Sequence, residues 1–138
     1  MYAATYTANQ YRNNSVNTSP EQLVVMCYDG MIRFLTTAET AIKEGDLQNK
    51  MKYVNKVLAI VEELQATLDF ERGGEIARNL DRLYNFFSSQ LMKVSLHEDL
   101  EVLEQLKNMF TELRASWAKV ASEMATQGNA SANLALSG

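Results

Sequence analysis

The 138-residue chain has one cysteine, one proline and one histidine, and each scarcity closes a route. With Cys27 alone, neither an intrachain disulfide nor an all-cysteine metal site can form. With His97 alone, the two Glu-x-x-His pairs of a di-iron bundle cannot be assembled. His97-Glu98-Asp99-Leu100-Glu101 resembles the opening of a zinc-protease helix, but Glu101 stands where the second histidine belongs. No block of basic residues occurs and the net charge is −4. A nucleic-acid partner or an acidic membrane surface, both held mainly by cationic side chains, is therefore not expected. No run of about 18 apolar residues occurs, and the N-terminus lacks a charged-then-apolar signal segment. The expectation is a soluble protein of the cytoplasm, with no membrane insertion and no metal or cofactor.

What is present is helical. An apolar fraction of 46% suits one globular core in a chain of this length. Ser19-Pro20-Glu21-Gln22 reads as an N-cap, a proline at the first helical position and a glutamine closing a capping box. A first helix then runs to about Glu44, where Gly45 can take the left-handed conformation that ends it. Asp46 caps a second helix reaching Leu68 or Asp69. A break at Asp69 to Gly74 precedes a third helix, ending near Val94. Ser95 with Glu98 forms a second capping box, opening a fourth helix that runs to about Met124. Residues 1–17 lack helical periodicity and read as a flexible arm, and residues 126–138 as a flexible tail.

The apolar spacing fixes the architecture. Helix 4 carries Leu103, Leu106, Phe110, Leu113, Trp117, Val120 and Met124 at three–four spacing. Comparable seams are Leu23, Cys27, Gly30, Phe34, Ala38 and Ala41 on helix 1, and Leu47, Met51, Val54, Leu58 and Val61 on helix 2. Helix 3 offers Ile76, Leu80, Leu83, Phe87, Leu91 and Val94. Short connections force neighbours antiparallel, so the fold predicted is all-α, a single up-down-up-down four-helix bundle.

Two helices hold more apolar surface than such a seam needs. Val24, Tyr28, Met31, Leu35 and Ile42 form a second stripe about 90° round helix 1. Tyr53, Val57, Ile60 and Leu64 do the same on helix 2. This surplus predicts a hydrophobic groove for an amphipathic partner segment, lined by Val24, Tyr28, Met31, Leu35, Tyr53, Val57, Ile60 and Leu64. Tyr2, Tyr6 and Tyr11 in the arm are suited to covering such a groove until a partner arrives, and Tyr11 joins the predicted binding set.

Nothing reads as an active site. His97 falls near a helix end beside two carboxylates, which would repel a phosphate, so a histidine phosphotransfer bundle is the weaker alternative; a self-assembling structural bundle is another. Cys27 on the seam is expected to be buried and structural. Gly73-Gly74 has neither the lysine nor the preceding strand of a phosphate loop, and is expected to mark a close backbone approach at a helix boundary.

Tyr11, Ser19-Pro20-x-Gln22-Leu23 and Tyr28-Asp29-Gly30, in that order, resemble the start of the flagellin export chaperone family (FliS). Gly73-Gly74-Glu75-Ile76-Ala77-x-Asn79-Leu80-x-x-Leu83-Tyr84 is similar to its most specific segment. Leu113-Arg114-Ala115-Ser116-Trp117 fits its closing helix. The resemblance covers roughly residues 2 to 121 and implies a non-enzymatic chaperone. Such a chaperone would bind the disordered C-terminal segment of flagellin, block premature polymerisation and deliver the subunit to the flagellar type III export apparatus. It implies as partners the flagellin C-terminal segment, an export gate component and another cytoplasmic flagellar regulator.

Overall fold

The computed structural model describes the backbone of residues 18–137 and the side chains of residues 18–128. It contains four α-helices: α1 (Pro20–Lys43), α2 (Leu47–Ala66), α3 (Phe70–His97) and α4 (Leu100–Ser137). Each of the first three starts as its local chemistry requires. Ahead of α1 the Gln22 backbone N–H donates to Ser19 Oγ at 3.1 Å, and the Ser19 N–H donates to Gln22 Oε1 at 3.0 Å, completing the capping box. Asp46 accepts from the Asn49 N–H at 3.1 Å to open α2. Asp69 accepts from both the Glu71 and Arg72 N–H groups to open α3. Gly45, at φ +71°, takes the left-handed turn between α1 and α2.

Cross-helix ties set the directions. Arg114 Nε donates to Asp29 at 2.8 Å and Lys107 pairs with Glu39 at 3.4 Å, so α4 runs antiparallel to α1. Gln65 donates to Asp81 and Asn85 at 2.7 and 2.8 Å, while Lys50 meets Glu98 at 2.9 Å, so α3 runs antiparallel to α2. α1 packs on α2 and α4, and α3 packs on the same two, while the backbones of the diagonal pairs α1–α3 and α2–α4 stay farther apart. The bundle is therefore square in section, and its α1–α2 edge lies opposite its α3–α4 edge. The α3–α4 interface is the least extensive of the four.

Three local expectations are corrected. Ser95 and Glu98 form no capping box. α3 continues through His97, Glu98 turns left-handed at φ 52°, and Asp99 caps α4 by accepting from the Val102 N–H at 3.1 Å. Aspartate and serine cap about equally well, and because α3 runs on through Ser95, the cap falls to Asp99. His97 accordingly ends α3 and does not open α4. Gly73-Gly74 marks no close approach to another helix. Gly74 has φ +51° and ψ −123°, with open space where a Cβ would stand, so the glycine answers to backbone conformation alone. Finally, α4 extends to Ser137, beyond the expected end near Met124. The arm, residues 1–17, lies outside the described residues.

Candidate functional site

The interior is built from Tyr28, Met31, Leu35 and Ala38 of α1, and Val54, Val57, Ile60, Val61 and Leu64 of α2. Tyr84, Phe87, Leu91 and Val94 of α3, with Leu103, Leu106 and Phe110 of α4, complete it. This overturns the reading of two surplus stripes. Tyr28, Met31, Leu35, Val57, Ile60 and Leu64 are enclosed, and they are the core seam of their helices. Leu23, Cys27 and Phe34, expected in that role, are half-buried along the outer α1–α2 edge. The physical reason is that α1 has two flanking neighbours: the stripe shared by all four helices lies about 100° from the stripe that meets α2. Of the remaining predicted binding residues, Val24 and Tyr53 are half-buried, and Tyr11 lies outside the described residues.

Two phenols meet in this core. The Tyr28 hydroxyl is buried beside that of Tyr84, and burial raises its pKa, with the neighbouring Tyr84 adding to the effect. The Tyr84 phenol is pushed up to about 12, by burial first and then by the nearby Cys27 thiol. Both stay protonated at physiological pH, and burial without an acid–base partner leaves them as packing groups. Among the described residues, no cluster of three His, Cys, Asp or Glu side chains could hold a metal ion. His97 is exposed at the end of α3.

The surface is more informative. Large apolar side chains lie open on the α3–α4 edge, where packing is thinnest. Ile76 is 72% exposed, and Phe86, Val120 and Met124 are also exposed. Beneath them Leu80, Leu83, Leu113 and Trp117 are half-buried against the core. The tight turn at Glu98-Asp99 sets these two antiparallel helices in register, so Ile76 stands level with about residue 121 and Phe86 with about residue 111. We read these eight side chains as one candidate apolar furrow along the α3–α4 edge. Seven of them, all but Phe86, read from the sequence as ordinary seam; only the thin α3–α4 contact distinguishes a seam from a furrow, and one helix's periodicity does not encode it.

Two concavities complete the surface. A cleft of about 660 Å³ separates the start of α1 from the later part of α4, lined by Gln22, Met26, Asp29, Arg114, Ala121 and Ala125 among others. A smaller pocket of about 300 Å³ sits on the α1–α2 edge, lined by Leu23, Val24, Cys27, Glu63 and Leu64 among others.

The structure is an antiparallel helical bundle with exposed large apolar side chains on its surface, a surface suited to contact with another protein. The family model described as "Flagellar protein FliS" matches residues 3–124, and the chain belongs to that family, one of non-enzymatic chaperones. It is 29% identical over 132 residues to the flagellar secretion chaperone FliS of Salmonella typhimurium, covering 92% of this chain and 98% of that one. It is 33% identical over 113 residues to the Campylobacter jejuni chaperone of the same name, covering 81% and 88%. With the Bacillus subtilis chaperone it shares 31% identity over 113 residues, covering 81% and 82%.

Proposed function

We propose that this chain is a flagellar secretion chaperone that binds flagellin, holding its disordered C-terminal segment against the α3–α4 furrow. The observation that carries this is the row of exposed apolar side chains, Ile76, Phe86, Val120 and Met124, over the least extensive helix interface. A client segment that folds as it binds loses conformational freedom worth about 2–5 kcal/mol or more. Covering the half or so of these four side chains that is still exposed contributes roughly half of the 1.5–3 kcal/mol of full burial each, a sum comparable with that cost. A segment sequestered in this way is unavailable for filament contacts, so premature polymerisation is blocked without any energy source. Tyr28, Met31, Leu35, Val57, Ile60 and Leu64 hold the bundle that shapes the furrow, and the client meets the edge they leave uncovered.

The loaded chaperone operates in the cytoplasm and hands its subunit to a gate component of the type III export apparatus. No described helix is long and apolar enough to cross a membrane, in keeping with that placement. The deciding experiment is calorimetric titration of the chain with a peptide of flagellin's C-terminal segment. Ile76→Asp and Val120→Asp are each expected to weaken binding about tenfold or more with unchanged circular dichroism. Undiminished affinity in both variants would place the client elsewhere. A flagellin polymerisation assay adds the functional readout, with suppression expected at one chaperone per subunit.

A further inference from the structure

The edge opposite the furrow carries a feature that lies outside the client site proposed above. Phe34 of α1 and Tyr53 of α2 lie half-buried with ring centroids 6.0 Å apart. Lys56 Nζ sits 5.1 Å from the Phe34 ring and 5.0 Å from the Tyr53 ring. The Arg33 guanidinium lies 5.2 Å from Phe34, and Lys52 Nζ lies 5.5 Å from Tyr53. Three cations thus surround one aromatic pair. Among the described residues the ion pairs are Lys50–Glu98, Arg72–Asp69, Lys107–Glu39 and Arg114–Asp29, so none of the three has a carboxylate partner. In a chain of net charge −4 this is a concentration of one sign against the overall balance.

Cation–π attraction steadies each cation but neutralises none of them, and three like charges on one patch repel one another. An incoming carboxylate relieves that repulsion. On the same α1–α2 edge lies the pocket lined by Leu23, Val24, Cys27 and Leu64, with one carboxylate, Glu63, in its wall. From Cys27 to Phe34 is seven residues of α1, about 10 Å or two helical turns.

We propose that the α1–α2 edge is a second docking surface, for an acidic amphipathic segment of another protein. Its apolar anchor enters the Leu23–Cys27–Leu64 pocket, and its carboxylates lie two turns away among Arg33, Lys52 and Lys56. Charge selects this occupant. The chain's own residues 1–17 contain Arg12 and no carboxylate, so they are mismatched to the cationic end. A nucleic acid would need far more cations than three and would be repelled by the rest of the surface. Because this edge is opposite the furrow, the acidic partner and the client can be held together.

The test uses the full chain and a fluorescent helical peptide of about 14 residues, with leucines at one end of its apolar face and glutamates two turns away. A second peptide replaces those glutamates with glutamine. In an anisotropy titration the glutamate peptide is expected to bind at least about tenfold tighter, and to lose that advantage between about 50 mM and about 300 mM salt. Lys56→Glu and Arg33→Glu should each abolish the difference while the flagellin segment still binds, which also shows the variants folded. Saturating the chain with flagellin segment should leave peptide affinity unchanged. Equal affinity for both peptides, or indifference to Lys56→Glu, overturns the proposal. So does a self-associated chain in sedimentation that Arg33→Glu makes monomeric, because the edge would then belong to a second copy.

Discussion

Phe87 and Phe110 meet edge-on at 90°, with ring centroids 4.9 Å apart, at the centre of an otherwise thin α3–α4 interface. Phe110 also takes the edge of Tyr28 at 6.0 Å, so one ring joins α4 to both α3 and α1. The apolar furrow can stay open at its rim because this contact holds the two helices together beneath it.

Phe110→Ala should therefore cost more than a peripheral truncation. Removing a fully buried phenylalanine destabilises by about 3–5 kcal/mol, a loss of roughly 10 °C in melting temperature for a chain of this size. Met124→Ala, at an exposed site, should fall within about 0.5 kcal/mol. Thermal denaturation of the two variants checks the contrast.

The buried phenols predict a loss of stability in alkali. An unfolded tyrosine titrates near 10, whereas Tyr84 is pushed up to about 12. Between those values the unfolded chain has released a proton that the folded chain retains, so stability falls as pH rises through that window. Tyr84→Phe should flatten the decline measured by urea denaturation at about pH 9 and about pH 11, relative to the parent. A decline of unchanged steepness would assign it to other groups.

Glu98 carries two opposing effects. Its left-handed backbone, at φ 52°, is unfavourable for a side chain by about 1–2 kcal/mol. Its carboxylate meanwhile satisfies Lys50, which is only 7% exposed. Glu98→Ala keeps the strain and strands the ammonium; Glu98→Gly strands the ammonium but relieves the strain. Both should destabilise or break even, with alanine worse by about 1 kcal/mol. Equal denaturation midpoints would mean the turn is not strained.

Glycine replacements should differ in the same spirit. At Gly74, φ +51° and ψ −123° lie where alanine is disfavoured, so Gly74→Ala should cost about 1–3 kcal/mol although nothing stands within 4 Å of the new Cβ. At Gly30, inside α1, a Cβ would touch Ile60 Cδ1 at 3.4 Å, the end of a side chain able to shift. Gly30→Ala should be near neutral, since up to about 1 kcal/mol of helix propensity offsets the contact. Paired urea titrations separate the two.

Much of the fold was legible because helix ends are written locally. Ser19 with Gln22, Gly45, and Asp46 with Asn49 act over three or four residues, and each does in the structure what the sequence indicates. The failure at Ser95 shows the limit: two cap candidates four residues apart competed, and the aspartate prevailed. Which stripe of α1 faces inward was not legible, since Leu23-Cys27-Phe34 and Tyr28-Met31-Leu35 are both apolar and only the position of α4 decides between them. For the same reason the furrow could not be read from one helix's periodicity. The aromatic pair ringed by cations joins residues of two helices nearly twenty positions apart, and no local pattern announces it.

With 38 residues, α4 outlasts its 24-residue neighbour α1 and the 28 residues of α3. From the Asp29–Arg114 register, its final turns, past about residue 128, rise above the last facing helix. Helical turns that no other described helix flanks open far more readily than turns wedged among three others. A digesting enzyme should whittle the molecule from that spire downward and then stall, leaving a trimmed bundle that melts where the intact one does.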